Sequence, residues 1–177
     1  MKSLQLYLGH EHSCSYLAER TANSIFIDPN EPLTAELYSQ LIEQGFRRSA
    51  VHVYRPHCGP CTACVSARIP VQKFQATSAQ QKIMRRNHDI TVQAVDSTLN
   101  NERYALYQRY IKQRHADGDM YPPSIEQFES FLSSDLEFVR FYEFRADKKL
   151  LAVAVTDVLP SGLSAMYTFF EPEDKRR

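Results

Sequence analysis

The chain of 177 residues has no tryptophan, only five glycines, and no apolar run approaching the ~18 residues that a membrane-spanning helix needs. A membrane-embedded protein is therefore not expected. Residues 1–12 have no apolar stretch followed by a small-residue cleavage site, so no secretory leader is expected and a cytoplasmic location is. No internal repeat and no low-complexity tract is present, and 10 Phe with 10 Tyr argue against a disordered chain. The length suits one domain, or two small ones.

The most informative absence concerns charge. Lys plus Arg is 21 and Asp plus Glu is 21, and a net charge of zero speaks against a nucleic-acid partner. The positions reverse that inference. Residues 1–43 hold 2 basic and 6 acidic side chains, whereas residues 44–88 hold 8 basic and none acidic. At the chain's average density about five acids would fall in that stretch. Its cations are Arg47, Arg48, Arg55, Arg68, Lys73, Lys82, Arg85 and Arg86, with His52, His57 and His88 among them. Such a block reads as an anion-binding surface, phosphate being the commonest anion; a solvated face neutralised by distant acids is the alternative.

All four cysteines precede residue 65. Cys58, Cys61 and Cys64 are spaced Cys-x2-Cys-x2-Cys inside the basic block, and Cys14 stands apart upstream. Neighbouring cations favour thiolates. Two-residue gaps let thiolates converge on one ion, and four suit either tetrahedral zinc or an iron–sulfur cluster. Spacing does not choose between these, and free thiols remain the alternative.

Periodicity predicts a helix over Thr34–Gln44 with Thr34 as cap and Gly45 as stop, a short strand over Ala50–Tyr54, and an extended piece over Val65–Val71. Helices follow at Ser78–Arg86 and Leu99–His115, with a strand at Ile90–Val95 between them. Beyond the Ala116–Pro123 loop come a helix at Ser124–Ser133 and strands at Glu137–Phe144, Leu150–Leu159 and Leu163–Phe170. Phe138, Arg140, Tyr142 and Phe144 share one face of the first of these, and the second reads as a central strand. Helices followed by an antiparallel meander define an α+β fold.

Several ordered motifs resemble those of the bacterial aspartate/glutamate leucyltransferases, relatives of the arginyl-tRNA–protein transferases. They include His12–Leu17, Gly45–Ser49, Tyr54–Cys58 with its two following cysteines, Arg68–Val71, Arg85–Asn87, Tyr107–Tyr110, Arg114–Met120, Leu150–Asp157 and Tyr167–Phe170. The likeness covers nearly the whole chain. Departures include Ala18 and Ser66 where the family usually has proline, and Leu136 where it often has tryptophan.

The resemblance implies a cysteine-bearing, basic N-terminal region, 1–88, joined to the start of a GNAT-type acyltransferase domain, 89–177. The family's sequence continues past the position of Arg177, so an incomplete antiparallel sheet is expected. It also implies transfer of leucine from leucyl-tRNA to the α-amine of proteins beginning with Asp or Glu, marking them for degradation in the N-end rule pathway. Eukaryotic relatives are associated with an iron–sulfur cluster on cysteines of this region. A non-catalytic tRNA- or degron-binding module is the alternative, and a zinc-ribbon nucleic-acid binder would explain the cysteines alone.

That reaction makes demands that can be matched to residues. Ester to amide is downhill, so ATP is not required. The α-amine, with a pKa near ~8, must lose a proton before attack. His115, Asp117 and Asp119 are candidates to deprotonate or position it, with a helix cap and turn as the competing explanation. A carboxylate on the acceptor suits a bidentate arginine, for which Arg47, Arg48, Arg55 and Arg68 are candidates. Tyr167 and Thr168 lie on the strand that borders the acyl site in GNAT-type folds, where core packing competes with a substrate role. Lys73, Lys82, Arg85 and Arg86 are the expected contacts to tRNA phosphates.

Overall fold

The computed structural model describes residues 3–132 and 135–174. Four helices and two four-stranded sheets are present among them, an α+β architecture. The chain forms two compact units. The first comprises residues up to Arg68 with Leu159–Ser161, and the second runs from Ile69 through Val158 and again from Gly162.

In the first unit, β1 (Leu6–Leu8), β4 (Ser24–Ile27), β6 (His52–Pro56) and β5 (Arg47–Ser49) form an antiparallel sheet in that spatial order. A small ribbon pairs β2 (His12–Ser13) with β3 (Thr21–Ala22). Gly9 lets the chain leave β1 close to β4, because a Cβ there would lie 2.8 Å from the Phe26 ring. Helix α1 (Ala35–Glu43) begins where the Thr34 hydroxyl accepts the Leu37 N–H. It ends in a Schellman motif: Gly45 at φ 85° donates to the Ile42 carbonyl, and Phe46 donates to that of Leu41. The expected helix is thus present with its cap and stop.

The strand expected at Ala50–Tyr54 is present as β6, shifted to His52–Pro56, and it pairs with β5 in a hairpin. Ala50 has φ 52° and forms the turn between β5 and β6. The Arg48 guanidinium donates to the Ala50 carbonyl at 2.6 Å, a side-chain clasp that holds a turn lacking glycine. The extended piece expected over Val65–Val71 is not a strand. Its residues pair with no other strand, and the only regular structure is a 3-10 turn at Val71–Lys73.

In the second unit, β7 (Ile90–Asp96), β8 (Val139–Ala146), β9 (Lys149–Leu159) and β10 (Gly162–Phe170) lie side by side in sequence order, the expected meander. α2 (Ser78–Arg86) precedes the sheet, and α3 (Asn101–Arg114) and α4 (Ile125–Phe131) interrupt it between β7 and β8. The expected end of α4 at Ser133 lies outside the described residues. Asn100 and Ser124 cap α3 and α4 by accepting the Arg103 and Gln127 N–H groups.

Leu106, Tyr107 and Ile111 of α3, with Phe128 of α4, are wholly buried against Phe141, Val153, Val155 and Phe169 of the sheet. The Phe128 ring meets Tyr107, Phe141 and Phe169 edge-on, with centroids 5.3, 6.3 and 6.0 Å away. Such pairs add about 0.5–1.5 kcal/mol each beyond area burial.

The deeply buried face of β8 is Val139, Phe141 and Glu143, so the Phe138–Phe144 row lies on the other face. Glu143 is tolerated there because Arg103 donates to its Oε1 at 2.8 Å and Arg145 to its Oε2 at 2.9 Å. Arg145 also grips Glu102, whose carboxyl is thereby held below the usual carboxylate range.

Candidate functional site

The first unit contains a cavity of about 820 Å³ between the β2–β3 ribbon, the sheet and the Cys58–Val65 loop. All four cysteines line it, Cys14 from the ribbon and Cys58, Cys61 and Cys64 from the loop. None is in a disulfide. Arg20 and Arg47 supply cations, His12 and His52 add imidazoles, and no carboxylate lines the wall. A concave wall with cations and no acid is a place for an anion.

Local structure fixes the sulfurs. The Cys14 N–H donates to the Arg20 carbonyl, closing the ribbon's loop. Backbone N–H groups of Tyr16 and Leu17 point at the Cys14 sulfur and, with help from the Arg20 charge, lower its pKa against the opposing effect of burial. Cys58 is tethered to the sheet, its sulfur accepting the Asn23 N–H and lying 3.4 Å from the Asn23 carbonyl. Cys61 donates to the Cys58 carbonyl across a turn in which Gly59 adopts φ 58°.

Four thiols around one cavity, one of them biased toward thiolate, fit zinc or an iron–sulfur cluster in donor type and in number. Among the described residues, no three Cys, His, Asp or Glu side chains converge on one point as they stand. Ligation would therefore require the four sulfurs to come closer together.

The four arginines expected to read a carboxylate are not equivalent. Arg47 is exposed and lines the cavity. Arg48 is buried and donates to the Ala50 carbonyl. Arg55 donates to the Gln44 carbonyl at 3.0 Å and lies over the Phe46 ring at 5.0 Å, pinning the end of α1. Arg68 is exposed on an irregular segment. Sequence reasoning missed Arg20, because it sits outside the acid-free block, and Asn23, because only the fold brings it to Cys58.

The proposed proton-handling residues fall on one loop of the second unit. His115 is the C-cap of α3, and its Nε2 lies 3.0 Å from the Tyr110 hydroxyl. Asp117 and Asp119 are exposed on consecutive turns, closed by Gly118 donating to His115 and Tyr121 donating to Gly118. Tyr167 is half-buried against Tyr110 and Phe131, and burial pushes its hydroxyl pKa up. Thr168, next on β10, is exposed. Lys73 lies in the 3-10 turn, and Lys82, Arg85 and Arg86 lie on α2, all exposed.

The arrangement is a cysteine- and cation-lined cavity in one unit and an α+β scaffold in the other. Comparison with known proteins gives that pairing a family. The model of arginine-tRNA-protein transferase N termini matches residues 12–82, and that of the C termini matches residues 102–177. The chain is 57% identical over 174 residues to the aspartate/glutamate leucyltransferase of Pseudomonas fluorescens, covering 98% of this chain and 74% of that protein. It is 55% identical, with the same coverage, to the protein of that name from Stutzerimonas stutzeri. The chain belongs to the arginine-tRNA-protein transferase family, and its class is that of the aminoacyltransferases.

No helix among the described residues is long and apolar enough to cross a membrane.

Proposed function

We propose that this protein moves leucine from leucyl-tRNA to the α-amine of proteins that begin with Asp or Glu, giving them an N-terminal leucine that marks them for degradation by the N-end rule pathway in the cytoplasm. The observation that carries this reading is the 57% identity, over 98% of the chain, to a protein named for that activity. The acid-free cavity agrees with it, since an acceptor distinguished by a side-chain carboxylate calls for a cationic pocket.

In this reading Arg47, assisted by Arg20, receives the acceptor's side-chain carboxylate. The neutral α-amine attacks the leucyl ester carbonyl. A C–N bond forms, the C–O bond to the ribose breaks, and the amine's proton is replaced on the departing ribose oxygen. His115 is the group proposed to relay that proton, with the Tyr110 hydroxyl fixing its ring. Asp117 and Asp119 share the loop of His115 and are proposed to assist its proton handling. Holding the two reactants together supplies ~7 kcal/mol or more, and no ATP is consumed. Lys73, Lys82, Arg85 and Arg86 contact tRNA phosphates, so doubling the salt concentration weakens tRNA binding.

Cys14, Cys58, Cys61 and Cys64 are proposed to hold zinc or an iron–sulfur cluster that orders the cavity wall. Metal and sulfide analysis of anaerobically purified protein tests this. Stoichiometric zinc, or iron with sulfide, lost in Cys58→Ser, is expected; absence of both sinks it.

The activity is tested by incubating purified protein with labelled leucyl-tRNA and peptides beginning with Asp, Glu or Ala. Label on the Asp and Glu peptides alone is the expected result. Binding of leucyl-tRNA without transfer would identify a non-catalytic binding module instead.

A further inference from the structure

Helix α2 is well formed yet buries nothing. Thr77 and Gln80 make a reciprocal capping box: the Thr77 hydroxyl accepts the Gln80 N–H, and the Gln80 side chain accepts the Thr77 N–H. A helix of nine residues is too short to be stable through propensity alone and normally depends on burying an apolar face. In α2 no residue is buried, and Ile83 and Met84 are 54% and 63% exposed. Phe74, just before the helix, is 46% exposed, and Ile69, Val71 and, on the sheet-edge strand β7, Val92 are exposed as well. Exposed apolar side chains concentrated in one stretch of chain invite an occupant.

The charge on the same surface states which. At 3.6 residues per turn, Lys82, Arg85 and Arg86 share one side of α2, whereas Ile83 and Met84 lie on the other. Lys73 is exposed one residue before Phe74. No carboxylate occurs anywhere from Gln44 to His88. A protein partner or a second copy would leave this cationic row to be matched by acids. Cations that adjoin exposed apolar and aromatic side chains along the chain, Lys73 before Phe74 and Lys82 and Arg85 about Ile83 and Met84, are instead the composition that holds a single-stranded nucleic acid, phosphates on the cations and base faces on the apolar groups.

We propose that Ile69–His88 is the docking surface for the unpaired 3′ end of the tRNA. Phe74 and Met84 take base faces, and Lys73, Lys82 and Arg85 take the phosphates between them. The inference rests on the tRNA reading above and goes further. A duplex stem presents phosphates but no free base faces, so cations alone would suffice for it, and the apolar half of the surface has a use only where bases are unstacked.

The test compares binding of a deacylated leucine-accepting tRNA with the same tRNA trimmed to a blunt acceptor stem, by fluorescence anisotropy on the full chain. The double variant Phe74→Ala/Met84→Ser should weaken binding of the intact tRNA about tenfold and leave the trimmed one unchanged. Lys82→Ala/Arg85→Ala should weaken the intact tRNA, reduce its salt slope by roughly 1.5, and leave the trimmed one little changed. All four side chains are exposed, so far-UV circular dichroism should not change.

If the intact and trimmed tRNAs bind equally and Phe74→Ala/Met84→Ser affects neither, the inference is wrong while the tRNA reading stands. If the unaltered chain binds neither tRNA, the tRNA reading fails and the inference falls with it. A dimer in sedimentation that dissociates on Met84→Ser would assign the surface to a second copy and overturn the proposal.

Discussion

The two units are built on different principles. Among the described residues up to Arg68, only Ile27, Tyr38, Leu41, Phe46 and Val53 are buried apolar residues, whereas the second unit buries thirteen, eight of them at zero exposure on α3, α4 and β8–β10. The first unit spends its sequence on a cavity lined by thiols, imidazoles and cations, carried on strands of two to five residues. Small cores are marginal, and proteins that rely on them commonly add a metal or other cross-link. The lesson is a division of labour: packing holds the second unit, and in the first a polar, thiol-lined cavity takes the place of much of the packing.

If that contrast is right, core changes in the second unit cost stability, and changes in the cavity cost function. Phe128→Ala removes a ring with four aromatic neighbours, Tyr104, Tyr107, Phe141 and Phe169. It should destabilise by about 3–5 kcal/mol in urea unfolding followed by near-UV circular dichroism. A loss below about 1 kcal/mol would show the aromatic cluster to be loosely packed.

Glu143→Leu comes next. It removes the partner of Arg103, whose guanidinium is otherwise held by the Asp96 and Thr98 carbonyls, and leaves a buried cation facing an apolar group. A cost of about 3 kcal/mol is expected, and Glu143→Gln should recover part of it.

Arg47→Ala probes the other side of the comparison. The side chain is exposed, so stability should move by less than about 0.5 kcal/mol. KM for an Asp-initiated peptide should rise about tenfold with kcat little changed, because a charge-assisted hydrogen bond is worth ~1.5–3 kcal/mol.

The smallest effect concerns Glu102. Arg145 lowers its carboxyl pKa in the folded state, so the pair adds stability above the ordinary carboxylate range and loses it as pH falls through the lowered value. Glu102 is half-exposed, which limits the contribution to under ~1 kcal/mol. The melting-temperature gap between the native chain and Glu102→Gln should therefore close on acidification from about pH 6 to about pH 3.

Much of the second unit was legible because its signals are local. α3 and α4 carry apolar residues at helical spacing behind Asn or Ser caps, and the meander's strands are long and separated by short turns. Glu143 was not legible as a buried residue, since its partner Arg103 lies 40 positions away. Apart from α1, whose cap and stop are local signals, the first unit resisted reading for the same reason. Residues 1–33 gave no periodic signal, and β1 to β4 are too short to show one. The β5–β6 turn has no glycine, proline or asparagine to announce it and depends on Arg48 reaching the Ala50 carbonyl. The cysteine spacing did point to a common locus, and Cys14 does share the cavity with the other three. Which of four neighbouring arginines faces that cavity could not be read, because the answer depends on β5 register: Arg47 pairs with Tyr54 and turns outward, and Arg48 pairs with Val53 and turns inward.

The central claim is that the cationic cavity of the first unit reads an acidic N-terminal residue. The most direct test is the ratio of kcat/KM for leucyl transfer to two peptides that differ only in Asp or Asn at the first position. It is measured for the native chain and for Arg47→Ala. The two side chains match in shape, so the ratio isolates the carboxylate charge. A large ratio in the native chain that collapses by about tenfold in Arg47→Ala is the predicted result. An unchanged ratio in the variant would contradict the account and place acceptor recognition elsewhere.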